Sequence, residues 1–120
     1  MALFDDAASR ALQGGLDAMW LKQQVSSHNI ANVETPGFKA KKVEFKKILE
    51  AAGEDGQQEL RTKAVVTTDE ETAARPDGNN VQVESEELEL WKAYTQYAAM
   101  TSRISGKLTT LRYVINNTGK

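Results

Sequence analysis

The sequence contains no cysteine, only two prolines and a single histidine. Without cysteine the chain has neither disulfides nor thiolate ligands for a metal, so its stability must come from packing or from assembly. No apolar run approaches the roughly 20 residues that cross a membrane as a helix, so we predict no direct membrane span. The histidine, His28, stands among serines and an asparagine, which favours a polar residue at a helix end over a metal ligand or a general base.

Neither sign of charge predominates: the sequence has 15 lysines and arginines and 17 aspartates and glutamates, and the formal net charge is −2. The sequence has no lasting basic stripe, so we predict no nucleic-acid partner. No phosphate-cradling glycine pattern, no nucleophile with its base and no cluster of metal ligands can be assembled from these residues. We therefore predict no catalytic residues, no metal, no cofactor and no enzymatic activity.

The 120 residues, of which 40% are hydrophobic and 27% charged, suffice for one domain of ordinary size. The first ten residues include Asp5 and Asp6 and lack both a basic segment and a continuous apolar segment. A cleaved secretory signal is therefore not expected. By itself this composition indicates a cytoplasmic protein.

The N-terminal segment predicts a helix from about Asp5 to Asn32. Apolar residues fall on one face at spacings of three and four, and alanines supply helix propensity. That face comprises Leu12, Leu16, Met19 and Ile30. The face is thin, and Gly14 with Gly15 costs the helix roughly 1 to 2 kcal/mol relative to alanine. We expect such a marginal helix to need a partner surface.

The C-terminal segment predicts a longer helix with a heptad seam, because apolar, tyrosine and threonine side chains recur at alternating steps of four and three. The seam comprises Leu90, Tyr94, Tyr97, Thr101, Ile104, Leu108, Leu111 and Ile115. Ser85, followed by two glutamates, indicates where the helix begins, and residues 116–119 indicate where it ends. This helix would be roughly 35 to 40 Å long at 1.5 Å per residue.

The middle of the chain, residues 39–83, carries weaker signals. Residues 42–45 alternate polar and apolar, and residues 60–68 include valines and threonines, which predicts short strands within a mostly irregular segment. Residues 45–49 could equally form a short helix that ends near Gly53. We divide the chain into residues 1–38, 39–83 and 84–120. The fold class predicted is mainly α, with the first and last segments paired as one coiled-coil-like core domain.

Residues 29–38, with the sequence Asn-Ile-Ala-Asn-Val-Glu-Thr-Pro-Gly-Phe, end the first helix. Pro36 and Gly37 suit the central positions of a type II turn, because proline fixes φ at the first and glycine accepts a positive φ at the second. Asn29 and Asn32 can bind nearby backbone groups, and Asn32 also tolerates a left-handed cap. We define the signature turn as Asn29, Ile30, Ala31, Asn32, Thr35, Pro36, Gly37 and Phe38.

The signature turn closely resembles the motif near the N-terminus of bacterial flagellar rod and hook proteins. The resemblance continues at the other end of the chain, where residues 80–84 lead into a helix that contains Gln96-Tyr97 and Ser105-Gly106-Lys107. This arrangement is similar to that of the proximal rod subunits of the flagellar basal body. The sequence therefore resembles the basal-body rod protein family at both ends.

The resemblance implies a structural, self-assembling subunit of the proximal rod, which links the membrane-embedded base and export gate to the distal rod. It implies partners among copies of the chain, other rod proteins, and basal-body ring and export-gate proteins. It also implies export without a cleaved signal peptide and a place in the periplasmic rod. The residues expected to line a shared helical core are Leu12, Leu16, Met19, Leu90, Tyr94, Tyr97, Ile104, Leu108, Leu111 and Ile115.

A second interpretation is a soluble helical adaptor or secretion chaperone that holds a partner on the C-terminal seam. Such a protein would form a discrete complex in the cytoplasm and would not itself be exported.

Overall fold

The computed structural model describes residues 7–52 and 56–118. Helix α1 spans Ala7–Ala31 and helix α2 spans Val83–Thr118. Between them, strands β1, Lys41–Ala52, and β2, Gln57–Thr68, form a two-stranded antiparallel sheet. The prediction of a mainly helical chain with one long helix towards each end is confirmed. The expected start of the first helix, at Asp5 and Asp6, lies outside the described residues.

Helix α2 contains 36 residues and is therefore about 54 Å long at 1.5 Å per residue. It begins at Val83, so the prediction that Ser85 marks its start is wrong. The Ser85 hydroxyl instead donates to Oε1 of Gln82, the residue before the helix, at 3.3 Å. The first turn carries Glu84 and Glu86, whose negative charge is favourable beside the positive end of the helix dipole.

The two strands form a hairpin of 12 residues each, longer than the sequence predicted, and the alternative of a helix over residues 45–49 is wrong. Phe45 pairs with Ala64 and Leu49 with Leu60. Because side chains alternate between faces along a strand, these four and Val43 share one face of the hairpin. Pairing with β2 thus extends the apolar face of the middle segment across both strands.

Part of the apolar face of the hairpin packs on α1, while Phe45, Leu49 and Leu60 stay more than half exposed. Ala64 packs on the cluster formed by Ala18 and Met19 of α1 and Ala93 of α2, and Lys22 Nζ lies 5.7 Å from the centroid of the Phe45 ring. The core of the molecule therefore lies where the hairpin and the two helices meet.

Small residues let the two helices approach each other closely. A Cβ atom added to Gly15 would lie 2.9 Å from the sulfur of Met100, which is too close for an ordinary contact. Gly15 thus lowers the helix propensity of α1 but permits Met100 of α2 to pack against its backbone.

The molecule is elongated, with principal extents of 70 × 35 × 15 Å and a radius of gyration of 19.4 Å. A compact domain of this length has a radius of gyration of about 14 Å. The accessible surface of 8750 Å² exceeds by about 2300 Å² the surface expected for a compact monomer of this mass. Within the described residues, no helix has the length and apolar character that a bilayer crossing requires.

Candidate functional site

The signature turn closes α1 through both backbone and side-chain hydrogen bonds. Phe38 N–H donates to the Thr35 carbonyl at 3.2 Å, and Gly37 has a φ of 74°, as predicted for a type II turn. Asn32 does not adopt the left-handed cap that an asparagine tolerates, because every positive φ among the described residues belongs to a glycine. Asn32 acts through its side chain: Nδ2 donates to the His28 carbonyl at 2.8 Å, and Oδ1 accepts from Thr35 Oγ1 at 3.1 Å.

Asn29 is buried in the last turn of α1 and joins this helix to β1. Its Nδ2 donates to the Lys41 carbonyl at 2.7 Å, and its Oδ1 accepts from the Lys41 N–H at 2.9 Å. A neighbouring strand would offer Lys41 the same pair of bonds, so the side chain replaces one rung of a β-ladder. The first residue of the hairpin is thereby fixed to the end of the helix.

Asn79 is buried in the segment before α2 and reaches back to the signature turn. Its Nδ2 donates to the carbonyls of Asn32 at 2.7 Å and Thr35 at 2.9 Å. Its Oδ1 accepts from Val81 N–H at 2.8 Å, while its own backbone N–H donates to Asp77 Oδ1 at 3.0 Å. One side chain therefore holds two segments that lie more than 40 residues apart in sequence.

Asn80 performs the corresponding task at the base of the hairpin. Its Oδ1 accepts from Ala40 N–H at 2.6 Å, and its Nδ2 donates to the Asp69 carbonyl at 2.7 Å. Its backbone N–H also donates to the Phe38 carbonyl at 3.3 Å. The residues that enter and leave the hairpin are thus held by the same amide.

Two glycines allow the signature turn and the segment before α2 to touch backbone to backbone. Gly37 N–H donates to the Asp77 carbonyl at 2.8 Å. Gly78 has a φ of 86°, and a Cβ atom added to it would lie 3.2 Å from Gly37 Cα. A side chain at Gly78 would therefore meet both an unfavourable φ and a rigid backbone neighbour.

Two basic side chains complete this arrangement. Arg75 Nη1 donates to the Val81 carbonyl at 3.1 Å, and Arg75 Nη2 donates to the Val33 carbonyl. Lys39 Nζ donates to the Gly78 carbonyl at 2.8 Å. We call this region the polar junction; it comprises the side chains of Asn29, Asn32, Lys39, Arg75, Asn79 and Asn80 and the backbone that they bind.

The side chains of the polar junction hold chain segments together, because their amide and guanidinium groups form hydrogen bonds with backbone atoms of the same chain. The imidazole of His28 lies at its edge, 5.7 Å from the Phe38 ring centroid in an edge-on arrangement. Among the described residues, no group of three or more histidines and carboxylates could hold a metal ion. The arrangement fixes the direction in which the chain leaves α1.

Glu86 of α2 lies beside the junction, where its carboxylate faces the side chains of Ser26 and Asn29. Burial raises the pKa of this carboxyl above its ordinary value of 4.5, and hydrogen bonds from Asn29 and Ser26 oppose the shift. Repulsion from Glu89 and Asp69 adds to the rise in the pKa. Glu86 is thus a carboxyl beside the junction whose pKa is raised.

The sequence-predicted seam of α2 is split between two faces of the helix. Its half-buried members are Leu90, Tyr97, Ile104 and Leu111, and its exposed members are Tyr94, Thr101, Leu108 and Ile115. The half-buried side is completed by Glu86, Ala93, Met100 and Lys107. On α1, Met19 is buried and Leu12 and Leu16 are half-buried. The structure therefore brings half of the predicted seam towards α1 and leaves the other half uncovered.

The exposed side is itself a regular stripe, which we call the outer seam. Its positions follow steps of four and three, and all are exposed: Glu87, Trp91, Tyr94, Ala98, Thr101, Ser105, Leu108, Arg112 and Ile115. Trp91 is 67% exposed and Ile115 59% exposed. The rings of Trp91 and Tyr94 stack on each other at 6.0 Å between centroids, beside a shallow groove of about 340 Å³ that Gln23 and Leu90 also line.

The remaining residues of the signature turn contribute mainly backbone. Ile30 and Phe38 are half-buried, whereas Ala31 and Pro36 are exposed. Sequence reasoning missed Arg75, Gly78, Asn79 and Asn80, which lie in the middle segment that it described as mostly irregular. The one available signal was a pair of asparagines beside a glycine, and that composition occurs equally in solvent-exposed turns. Nothing in the local sequence shows that these amides are buried.

The comparisons with known proteins agree along the length of the chain. No family model matches it. The flagellar basal body rod protein FlgB of Bacillus subtilis (strain 168) is 33% identical over 96% of this chain and 97% of the relative. FlgB of Aeromonas hydrophila is 32% identical over 93% of this chain and 98% of the relative. FlgB of Escherichia coli (strain K12) is 26% identical over 93% of this chain and 95% of the relative.

Proposed function

The chain belongs to the family of flagellar basal body rod proteins FlgB, and from this premise we propose that it is a structural subunit of the proximal rod. It is a building element and not an enzyme. The alternative of a soluble adaptor or secretion chaperone has no support among the relatives, which are named as rod proteins.

The observation that carries the proposal is the outer seam, a heptad stripe that stays exposed along a helix of 36 residues. Among the residues that the structure describes, the buried apolar ones are few and mostly small: Ala18, Met19, Val25, Ala40, Val81 and Ala93. A surface with this periodicity is suited to packing against other helices. Each Å² of apolar surface that a neighbour covers contributes about 25 cal/mol, so an array of copies gains stability that one copy lacks.

We assign the shared core of that array to α1 and α2, paired in a coiled-coil-like manner. Leu12, Leu16, Met19, Leu90, Tyr97, Ile104 and Leu111 would line the contact within a subunit, and Tyr94, Leu108 and Ile115 would line contacts between subunits. Residues 1–38 and 84–120 would then form the axial core domain, with residues 39–83 as a distinct segment beside it. The inner positions are half-buried and the outer positions are exposed. This supports the assignment of the inner residues to contacts within a subunit and of the outer residues to contacts between subunits.

The signature turn contributes to rod assembly because it fixes the angle between α1 and the hairpin. A rod repeats one subunit arrangement many times, so the angle between helix and hairpin must be the same in every copy. The hydrogen bonds of Asn29, Asn79 and Asn80 join the end of α1, the start of the hairpin and the segment before α2, and so support a fixed angle.

The partners proposed are copies of the chain, other flagellar rod proteins, and proteins of the basal-body rings and export gate. The proposed location is the periplasmic rod, reached through the flagellar export apparatus without a cleaved signal peptide. Both assignments are supported by the rod proteins to which the chain is similar.

Quantitative mass spectrometry of detergent-resistant hook and basal-body particles from the native bacterium tests the proposed function. We expect the chain in fixed stoichiometry with other rod proteins. Its absence from intact particles, together with a soluble cytoplasmic pool, would overturn the structural assignment and favour the adaptor.

A further inference from the structure

Helix α2 is divided by charge along its length. Its acidic residues are Glu84, Glu86, Glu87 and Glu89, and from residue 90 to residue 118 it contains no acid. Its basic residues all follow: Lys92, Arg103, Lys107 and Arg112. The two ends of one helix therefore carry opposite charge.

The outer seam divides in the same way. Its N-terminal end presents Glu87, Trp91 and Tyr94, and its C-terminal end presents Leu108, Arg112 and Ile115. Within the described part of the chain, neither Glu87 nor Arg112 has an ion-pair partner. A guanidinium binds both to a carboxylate and to the face of an indole, so the C-terminal end has the chemistry that the N-terminal end would recognise.

The spacing of the two ends permits them to meet in register. Arg112 follows Trp91 by 21 residues, and Ile115 follows Tyr94 by the same interval. That interval is three heptads, so two parallel helices offset by it keep their seams aligned. The axial offset is about 32 Å at 1.5 Å per residue.

We propose that the outer seam binds a second copy of this chain in parallel, with an offset of three heptads. Arg112 of one copy lies over Trp91 of the next and within reach of its Glu87, while Ile115 and Leu108 cover the aromatic end of the neighbouring helix. Because the two surfaces of this contact differ, it is a head-to-tail contact, which leaves one of the two surfaces free at each end of a row of copies. The parallel arrangement of the two helices rests on the proposed rod function. The complementary charge of the two ends of the outer seam rests on the sequence of α2 itself.

The overlap between two copies is short. It covers the region from about residue 108 to the end of α2 on one copy and from residue 87 to residue 97 on the other, roughly three helical turns. A stable complex of two proteins usually buries about 800 Å² on each partner, which exceeds what three turns of one helix face supply. The contact therefore operates within an array, where every copy has neighbours at both ends, and the free chain stays unassociated through this surface.

Charge reversal in assembled particles tests the proposal. With each variant expressed as the sole copy, Arg112→Glu is expected to reduce incorporation into basal bodies roughly tenfold, because it places a like charge beside Glu87. The double variant Glu87→Arg with Arg112→Glu should restore part of it, because the ion pair returns although the contact of a guanidinium with Trp91 does not. Arg103→Glu makes the same charge change on an exposed part of α2 off the outer seam and should incorporate normally. Normal incorporation of Arg112→Glu, or no rescue by the double variant, would overturn the proposal.

Cross-linking determines the direction of the contact, and the chain itself has no native cysteine that would compete. Basal bodies containing Tyr94→Cys with Ile115→Cys should yield a ladder of cross-linked species with a short bismaleimide. A two-fold antiparallel contact would instead cross-link Tyr94→Cys with Leu108→Cys and stop at dimers, which would overturn the parallel offset. If the wild-type chain is itself missing from the particles, the proposed rod function fails; if it is present and neither pair cross-links, only this inference fails.

Discussion

The polar junction and the outer seam differ in the burial of their side chains. In the junction, Asn29 and Asn79 are fully buried, yet their amides bind backbone groups, which removes most of the cost of burying a polar group. In the outer seam, Trp91 and Ile115 stay more than half exposed, which leaves their apolar surface in water. The hydrogen bonds of the junction lie within one chain, whereas the outer seam leaves its apolar side chains uncovered in the single chain.

This difference separates folding from assembly on the molecule. Substitutions in the junction should change the free energy of unfolding of the isolated chain, because they leave buried groups without partners. Substitutions in the outer seam should leave the isolated chain folded and change its incorporation into the rod. Each of the following variants tests whether the two properties are separable.

The largest loss of stability is expected for Asn79→Ala. It leaves the carbonyls of Asn32 and Thr35 and the N–H of Val81 without their side-chain partner, and unsatisfied buried groups cost about 1 to 3 kcal/mol each. Urea denaturation followed by circular dichroism should show a decrease in the free energy of unfolding of about 3 kcal/mol. The exposed Asn116→Ala serves as control, and equal stability of the two variants would contradict a clamping role for the junction.

Aspartate at Ile104 and at Leu108 compares the two sides of α2 directly. Ile104 is half-buried on the side towards α1, so Ile104→Asp should destabilise the isolated chain by about 2 kcal/mol. Leu108 is 47% exposed, so Leu108→Asp should leave the unfolding midpoint nearly unchanged. Both variants should fail to enter basal bodies, as measured by mass spectrometry of purified particles. Normal assembly of Leu108→Asp would show that the outer seam is not an interface.

Two glycine substitutions give effects of opposite sign. Gly78→Ala places a Cβ atom 3.2 Å from Gly37 Cα on a backbone with a φ of 86°, and should destabilise the chain by about 2 kcal/mol. Gly14→Ala places its Cβ in open space within α1, and should stabilise the chain by about 1 kcal/mol through helix propensity. The midpoints of urea unfolding measure both. Similar shifts for the two variants would mean that backbone contact at Gly78 is unimportant.

The sequence alone predicts the two helices and the Pro36-Gly37 turn, because helical periodicity and the φ preferences of these two residues are local properties. It does not predict which side of α2 faces α1. Leu90 and Tyr94 both fit a heptad, and only the small residues Gly15, Ala18 and Ala93 decide which position the close contact selects. Periodicity identifies the helix, but packing determines its rotation.

The junction escapes prediction for a different reason. Asn79 binds Thr35 across 44 residues, and no local rule distinguishes an asparagine that binds a distant carbonyl from one that faces water. The sequence also predicts strands that are shorter than those observed. The stability of a strand depends on its partner strand and on the surface that it packs against more than on the intrinsic preference of its residues.

The smallest effect is expected at Glu86, which lies between the two regions. Burial raises the pKa of its carboxyl in the folded chain above 4.5, so folding favours the protonated form. The contribution to stability is therefore present below the unfolded pKa and is lost as the pH rises through the folded pKa. Glu86→Gln should remove this loss, so the free energy of unfolding should fall less between about pH 4 and about pH 7 than in the wild type. The effect is small because the carboxyl is half-exposed and screened by water. Urea titrations at several pH values, with the exposed Glu70→Gln as control, measure the slope. An unchanged slope in Glu86→Gln would mean that water at the edge of the junction already compensates the charge, and that the junction and α2 are not linked through this residue.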